Sequence, residues 1–131
     1  MQRIALLALV LFVLTLRAER PPQQRSQADV VVSATVEKVE AAQSKFGPDG
    51  IRTDYTATVK LTSVEKGDVK VGSTVKLTWF YVTKRPSGFF AGAFGQDHGL
   101  KANDQAKFWL LGEKQPYTII YNSEGVEKLK K

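Results

Sequence analysis

Hydrophobic and polar residues alternate with a period of two along much of the chain between residues 28 and 121. The alternation is clearest in residues 28–39, 53–64 and 74–82. In the last of these, TVKLTWFYV, every second residue from Val75 to Tyr81 is apolar. A period of two is typical of β-strands that turn one face to the core and the other to water.

The first of these segments, ADVVVSATVEKV, is rich in β-branched residues. Its alternating apolar positions run from Val30 to Val36, but Val39 falls out of phase with them. An extra residue in one strand shifts the alternation by one position. The sequence therefore predicts a β-bulge near Glu37 and Lys38.

Two shorter apolar runs, AKFWLL at residues 106–111 and YTIIY at 117–121, bring the number of predicted strands to five. Turn residues separate the runs, most clearly in Gly47-Pro48-Asp49-Gly50. No segment has the periodicity of a long helix. The pattern predicts an all-β chain with five antiparallel strands. We expect a small OB-like barrel, because closure removes exposed sheet edges, with a small β-sandwich as the alternative.

The N-terminus carries a different pattern. Residues 4–16, IALLALVLFVLTL, form an uncharged apolar run behind Arg3. A basic start followed by such a run is typical of a secretory signal, and the run is short for a membrane helix, although an uncleaved anchor is the alternative. We predict a signal peptide over residues 1–18, a flexible lead-in over 19–27 and the barrel domain over 28–131. The protein is then secreted or periplasmic, with no membrane span after cleavage.

The amino-acid composition excludes several kinds of active-site and metal-binding chemistry. The chain has no cysteine, which excludes thiol nucleophiles, redox motifs and cysteine zinc sites. Lys plus Arg number 19 against 13 acidic residues, a net charge of +6. Removing Arg3 and Arg17 with the signal peptide leaves 17 against 13, or +4. A diffuse excess of this size is more typical of a solubility feature than of a nucleic-acid surface.

The order of the predicted strands is similar to that of the netrin-like OB barrel, whose members include the N-terminal domains of tissue inhibitors of metalloproteinases. The similarity rests on the opening ADVV at residues 28–31, the Lys66-Gly67 turn and Gly99-Leu100 before a penultimate strand. It also extends to small exported bacterial barrels. The resemblance implies a barrel over roughly residues 28–122. Those inhibitors chelate zinc through an N-terminal cysteine that this chain lacks, so no site residue is carried over.

The sequence offers no catalytic constellation. His98 is the only histidine, and with Asp97 it supplies too few ligands for a zinc site, so we expect a solvated loop histidine. The Gly92-to-Gly95 stretch lacks the Gly-Lys-Ser/Thr ending of a phosphate loop. We therefore predict a protein that is not an enzyme, with no catalytic, cofactor-binding or metal-binding residue.

The strongest candidate binding surface is the long glycine-rich loop over residues 83–101. It combines two basic residues with three aromatic ones: Lys84, Arg85, Phe89, Phe90 and Phe94. Protein-binding hot spots use this combination, and so do grooves for single-stranded nucleic acid. Alternatively, the three phenylalanines cap one end of the barrel. The hairpin tip at residues 47–52 is a second candidate surface or an ordinary solvated turn.

These observations favour an exported, non-enzymatic binding module that contacts a protein partner in the cell envelope. One alternative is a polyanion binder, for single-stranded nucleic acid or an acidic polysaccharide, suggested by the +4 charge and the composition of residues 84–94; export favours nucleic acid less. A further alternative, taken from the resemblance, is a protease inhibitor that works without the zinc-chelating cysteine.

Overall fold

A computed structural model of the protein describes residues 20–88 and 92–129. The predicted signal peptide lies outside the described residues. The described chain forms six strands: β1 Val30–Phe46, β2 Gly50–Lys66, β3 Thr74–Lys84, β4 Gln105–Leu111, β5 Tyr117–Ile119 and β6 Val126–Lys128. Single turns of 3₁₀-helix precede β1 (Arg25–Gln27) and β6 (Ser123–Gly125).

The strands close into a ring. Their order is β1-β2-β3-β5-β4, and β1 pairs with β4 as well as with β2. The predicted all-β class and small barrel are confirmed. Two details differ from the prediction: β6 adds a sixth strand beside β4, and β5 runs parallel to β3. β4 runs opposite to β3, because three antiparallel pairs link them through β1 and β2. β5 lies between β3 and β4 and is antiparallel to β4, so it runs parallel to β3.

β1 and β2 form a hairpin whose strands are 17 residues long each. Near the tip, Phe46 pairs with Gly50. The register between the two strands shifts between Val36 and Lys38, which confirms the predicted bulge. Beyond the bulge, β1 no longer pairs with β4, but the β1–β2 hairpin continues. β3 pairs with β2 along this extension as far as Lys84.

The alternating apolar residues build the barrel core. In β3, Val75, Leu77 and Trp79 are buried, as the period of two requires. The Trp79 ring stacks on Tyr55 of β2 at a centroid distance of 5.0 Å. Phe108 of β4 is the largest fully buried side chain. A buried aromatic and aliphatic interior of this kind stabilises the barrel through the hydrophobic effect.

The residues that precede β1 lie against the far end of the chain. The Gln23 amide donates to the Tyr121 carbonyl at 2.9 Å, and the Tyr121 amide donates back to Gln23 Oε1 at 2.8 Å. The Asn122 side chain donates to the Gln23 carbonyl at 2.8 Å. Arg25 Nε donates to the Glu124 carbonyl at 2.8 Å. These contacts attach part of the predicted lead-in to the segment that follows β5.

Candidate binding surface

The structure describes three of the five residues that the sequence singles out. Lys84 is the last residue of β3 and pairs with Ile51, and Arg85 follows it; both side chains are exposed. Phe94 is half-buried. The other two, Phe89 and Phe90, lie outside the described residues. The described parts of the loop are its two ends, residues 83–88 and 92–101.

Arg85 and Phe94 are in direct contact across the loop. The Arg85 guanidinium lies 4.5 Å from the centroid of the Phe94 ring. The centroid of the Phe94 ring is also 5.9 Å from that of Phe46, at the end of β1. A guanidinium over an aromatic ring is attracted by the ring quadrupole, so this contact favours the observed position of the exposed arginine.

Backbone pairing with β3 positions Phe94. The Val82 amide donates to the Phe94 carbonyl at 2.8 Å, and the Gln96 amide donates to the Phe80 carbonyl at 2.9 Å. Between these two bonds, Gly95 has a positive φ of 75°. A Cβ at Gly95 would collide with the Phe80 carbonyl oxygen. The close approach of the loop to β3 thus requires glycine at this position.

The two surfaces suggested by the sequence are one surface in the structure. The Ser87 amide donates to Asp49 Oδ1 at 2.7 Å, which ties the loop to the β1–β2 turn. This hydrogen bond from Ser87 lowers the pKa of Asp49 below its usual range. A Cβ at Gly50 would lie 2.9 Å from the Lys84 carbonyl oxygen. The hairpin tip and the start of the glycine-rich loop are therefore in contact.

Sequence reasoning missed one aromatic residue near the contact between the hairpin tip and the loop, Phe80. Its ring lies on the outer side of β3, and the Arg52 guanidinium lies 3.9 Å from its centroid. Arg52 also donates to Asp54 Oδ1 at 2.9 Å, so an ion pair fixes the stacked arginine. The period of two in β3 could have indicated Phe80, because it places Phe80 on the face of the strand opposite to that of the buried Trp79.

Together these residues form what we name the arginine–aromatic face: Lys84, Arg85, Phe94, Phe46, Phe80 and Arg52. A neighbouring pair repeats the arrangement, since the Arg20 guanidinium lies 4.5 Å from the Tyr121 ring. The Tyr121 ring is in turn 6.0 Å from Phe80. The three phenylalanines are half-buried, and an arginine lies over two of them, Phe80 and Phe94.

The expectation of a solvated His98 is wrong. The ring lies against the edge of Trp79, with centroids 6.0 Å apart. Its Nε2 is buried without a hydrogen-bond partner among the described residues. Burial lowers the pKa of His98 to about 4, and the negative charge of Asp97 acts weakly in the opposite direction. His98 is neutral at physiological pH, and its ring lies against Trp79 because residues 94–96 of the loop pair with β3.

Within residues 20–88 and 92–129, no group of three or more histidine, aspartate or glutamate side chains is arranged to hold a metal ion. Over the same residues, no helix has the length and apolar character needed to cross a membrane.

Comparison with known proteins finds no match among protein-family models, curated proteins or solved structures. The similarity to netrin-like barrels therefore stays a prediction. The function of the arginine–aromatic face has to be interpreted from its own geometry.

Proposed function

We propose that the protein is an exported, non-enzymatic binding module that contacts a protein partner in the cell envelope through the arginine–aromatic face. The observation that carries this proposal is the pair of stacked arginines, Arg85 on Phe94 and Arg52 on Phe80. Arginine and aromatic residues dominate the binding energy of protein interfaces. Export is supported by the apolar run at residues 4–16.

Preorganisation favours an interface at this position. An immobilised long side chain costs about 0.5–1.5 kcal/mol when a partner binds. Ring stacking and the Asp54 ion pair already restrain Arg52 before any partner arrives. The Asp49–Ser87 hydrogen bond similarly restrains the start of the loop. A partner with acidic and apolar groups would complement such a surface.

A protein contact is favoured over single-stranded nucleic acid on the described part of this face. Nucleic-acid grooves stack bases on open aromatic rings. Here Arg52 lies over Phe80 and Arg85 lies over Phe94, so both rings already have a stacking partner. We extend the proposal to a netrin-like relationship only for the barrel, because the cysteine of the protease inhibitors is absent.

Affinity capture from an envelope extract of the source cells, using the full-length protein exported by those cells, tests the proposal. Arg85→Ala and Arg52→Ala should each weaken capture of the same partner at least about tenfold, the effect expected of a hot-spot residue. Lys70→Ala, an exposed change in the β2–β3 loop, is the matched control and should leave capture unchanged. Binding must then be reproduced with the purified pair.

Two results would refute the proposal. A partner captured equally well by wild type and both arginine variants would show that the face is not the interface. Turnover of a substrate by the purified protein would show that the module is an enzyme.

A further inference from the structure

A second feature lies on the outer side of the sheet, beside the arginine–aromatic face. Thr56 of β2 pairs with Thr78 of β3, and Thr78 pairs with Thr118 of β5. The hydroxyl oxygens of Thr78 and Thr118 are 3.4 Å apart. These threonines line an open groove of about 380 Å³ that is bordered by Arg20 and Arg52. We name this groove the threonine trough.

The trough continues toward β1. Glu40 of β1 pairs with Thr56, which extends the polar row over a fourth strand. A depression of about 300 Å³ lies there, and it shares Asp54 and Thr56 with the trough. Lys76 lies at its border. Neighbouring strands are about 4.8 Å apart, so the row from β1 to β5 spans about 14 Å.

The trough offers hydrogen-bond donors and acceptors together with an excess of positive charge. Hydroxyl groups both donate and accept, while the Asp54 and Glu40 carboxylates only accept. Arg52 is paired with Asp54. Within residues 20–88 and 92–129, neither Arg20 nor Lys76 has an acidic ion-pair partner. Arg20 thus borders the trough and Lys76 borders the neighbouring depression, each without an ion pair to a described acidic side chain.

We propose that the threonine trough binds a short oligosaccharide that carries carboxylate groups. The threonine hydroxyls and Asp54 would bond the ring hydroxyls of the sugar, and Arg20 and Lys76 would bind its carboxylates. The mixture of donors and acceptors suits a sugar, whose ring hydroxyls both donate and accept hydrogen bonds. An added peptide strand is disfavoured, because the backbones of the trough floor already pair with neighbouring strands.

The trough shares Arg52 and Phe80 with the arginine–aromatic face but is proposed to take a different kind of ligand. Tetragalacturonate is the probe for the full-length exported protein, with the neutral maltotetraose and a short oligothymidylate as comparison ligands. Backbone amide shifts in NMR titrations should change at Thr78 and Thr118 with tetragalacturonate. Thr78→Val removes one hydroxyl at nearly constant shape, and the affinity should fall about fivefold, as expected for one hydrogen bond.

Matched controls separate the trough from general charge effects. Thr74→Val on the same strand lies outside the trough and should bind as wild type does. Arg20→Gln should weaken binding more than Lys101→Gln, an exposed change elsewhere. Circular dichroism verifies that each variant is folded. The variant Arg85→Ala should no longer bind the protein partner but should still bind tetragalacturonate. Failure of one proposal can therefore be told apart from failure of the other.

Any of three results overturns the inference. They are equal affinity for maltotetraose, tighter binding of oligothymidylate, and unchanged amide shifts at saturating tetragalacturonate. The second result would assign the trough to polyanions in general.

Discussion

The guanidinium of Arg25 lies 3.7 Å from the centroid of the Trp109 ring, the shortest cation–ring distance among the described residues. Arg25 belongs to the 3₁₀ turn before β1, whereas Trp109 belongs to β4. Arg25 also donates to the Glu124 carbonyl. One side chain thus joins the segment before the barrel to β4 and to the turn that precedes β6.

Replacement of Arg25 by alanine should destabilise the protein by about 1–2 kcal/mol, from the lost ring contact and the lost hydrogen bond. Arg25→Lys should lose less, because an ammonium keeps the charge without the planar stack. Urea denaturation measures both effects. A midpoint equal to that of wild type in Arg25→Ala would contradict a stabilising role for this contact.

Replacement of Gly95 by alanine should be much more costly than replacement of Gly88. Both glycines have a φ of 75°, which costs a non-glycine residue about 1 kcal/mol. At Gly88 the added Cβ has nothing within 4 Å, whereas at Gly95 it would collide with the Phe80 carbonyl oxygen. We expect a difference of at least about 2 kcal/mol between the two variants in urea denaturation. Equal losses would mean that the loop does not approach β3 closely in solution.

The protein should lose stability as the pH falls from about 6.5 toward 4. The pKa of His98 is about 4 in the folded protein against 6.5 for the free side chain, so the unfolded chain binds more protons in this range. The contribution is fully present above pH 6.5 and falls by roughly 2 kcal/mol between pH 7 and pH 5. Asp97 opposes the shift, and Arg20 lines the same small cavity as His98.

The variant His98→Phe isolates this effect, because it keeps an aromatic ring against Trp79 and removes the titration. Denaturation midpoints between pH 7 and pH 5 should then be nearly constant, apart from the onset of carboxylate protonation. An unchanged slope in His98→Phe would assign the pH dependence to other groups.

Replacement of Asp49 by alanine should release the start of the glycine-rich loop. The Ser87 amide would lose its acceptor, and its hydrogen exchange should become faster by about tenfold or more. Asp68→Ala, an exposed change in the β2–β3 loop, is the control and should leave the Ser87 amide unaffected. Exchange at Ser87 that is already fast in wild type would show that this hydrogen bond is rarely formed.

Local pattern accounts for the barrel core but not for the surface. The period of two placed Val75, Leu77 and Trp79 correctly in the interior, because strand geometry alone decides which face a side chain takes. The same rule explains how the phase break at Val39 located the bulge. The sequence does not predict β6, because three residues carry too little periodicity to separate a strand from a helical turn.

The position of His98 could not be read from its neighbours in sequence. It is buried because residues 94–96 pair with β3, and that pairing is a contact between distant segments. The bonds between Gln23 and Tyr121 likewise join residues 98 positions apart. The composition of the loop did indicate Arg85 and Phe94, but their stacking with one another and the participation of Phe46 depend on the closed fold.

The pairing of β1 with β4 has a consequence for the order in which the chain acquires its structure. Val30 to Thr35 find their partners in residues 105–110, seventy to eighty positions later. The β1–β2–β3 meander joins strands that are neighbours in sequence, but the ring stays open until β4 pairs with β1. Folding rates fall when native contacts are distant in sequence. Closure is therefore a late step, and a chain shortened before β4 would expose the apolar side of an open three-stranded sheet.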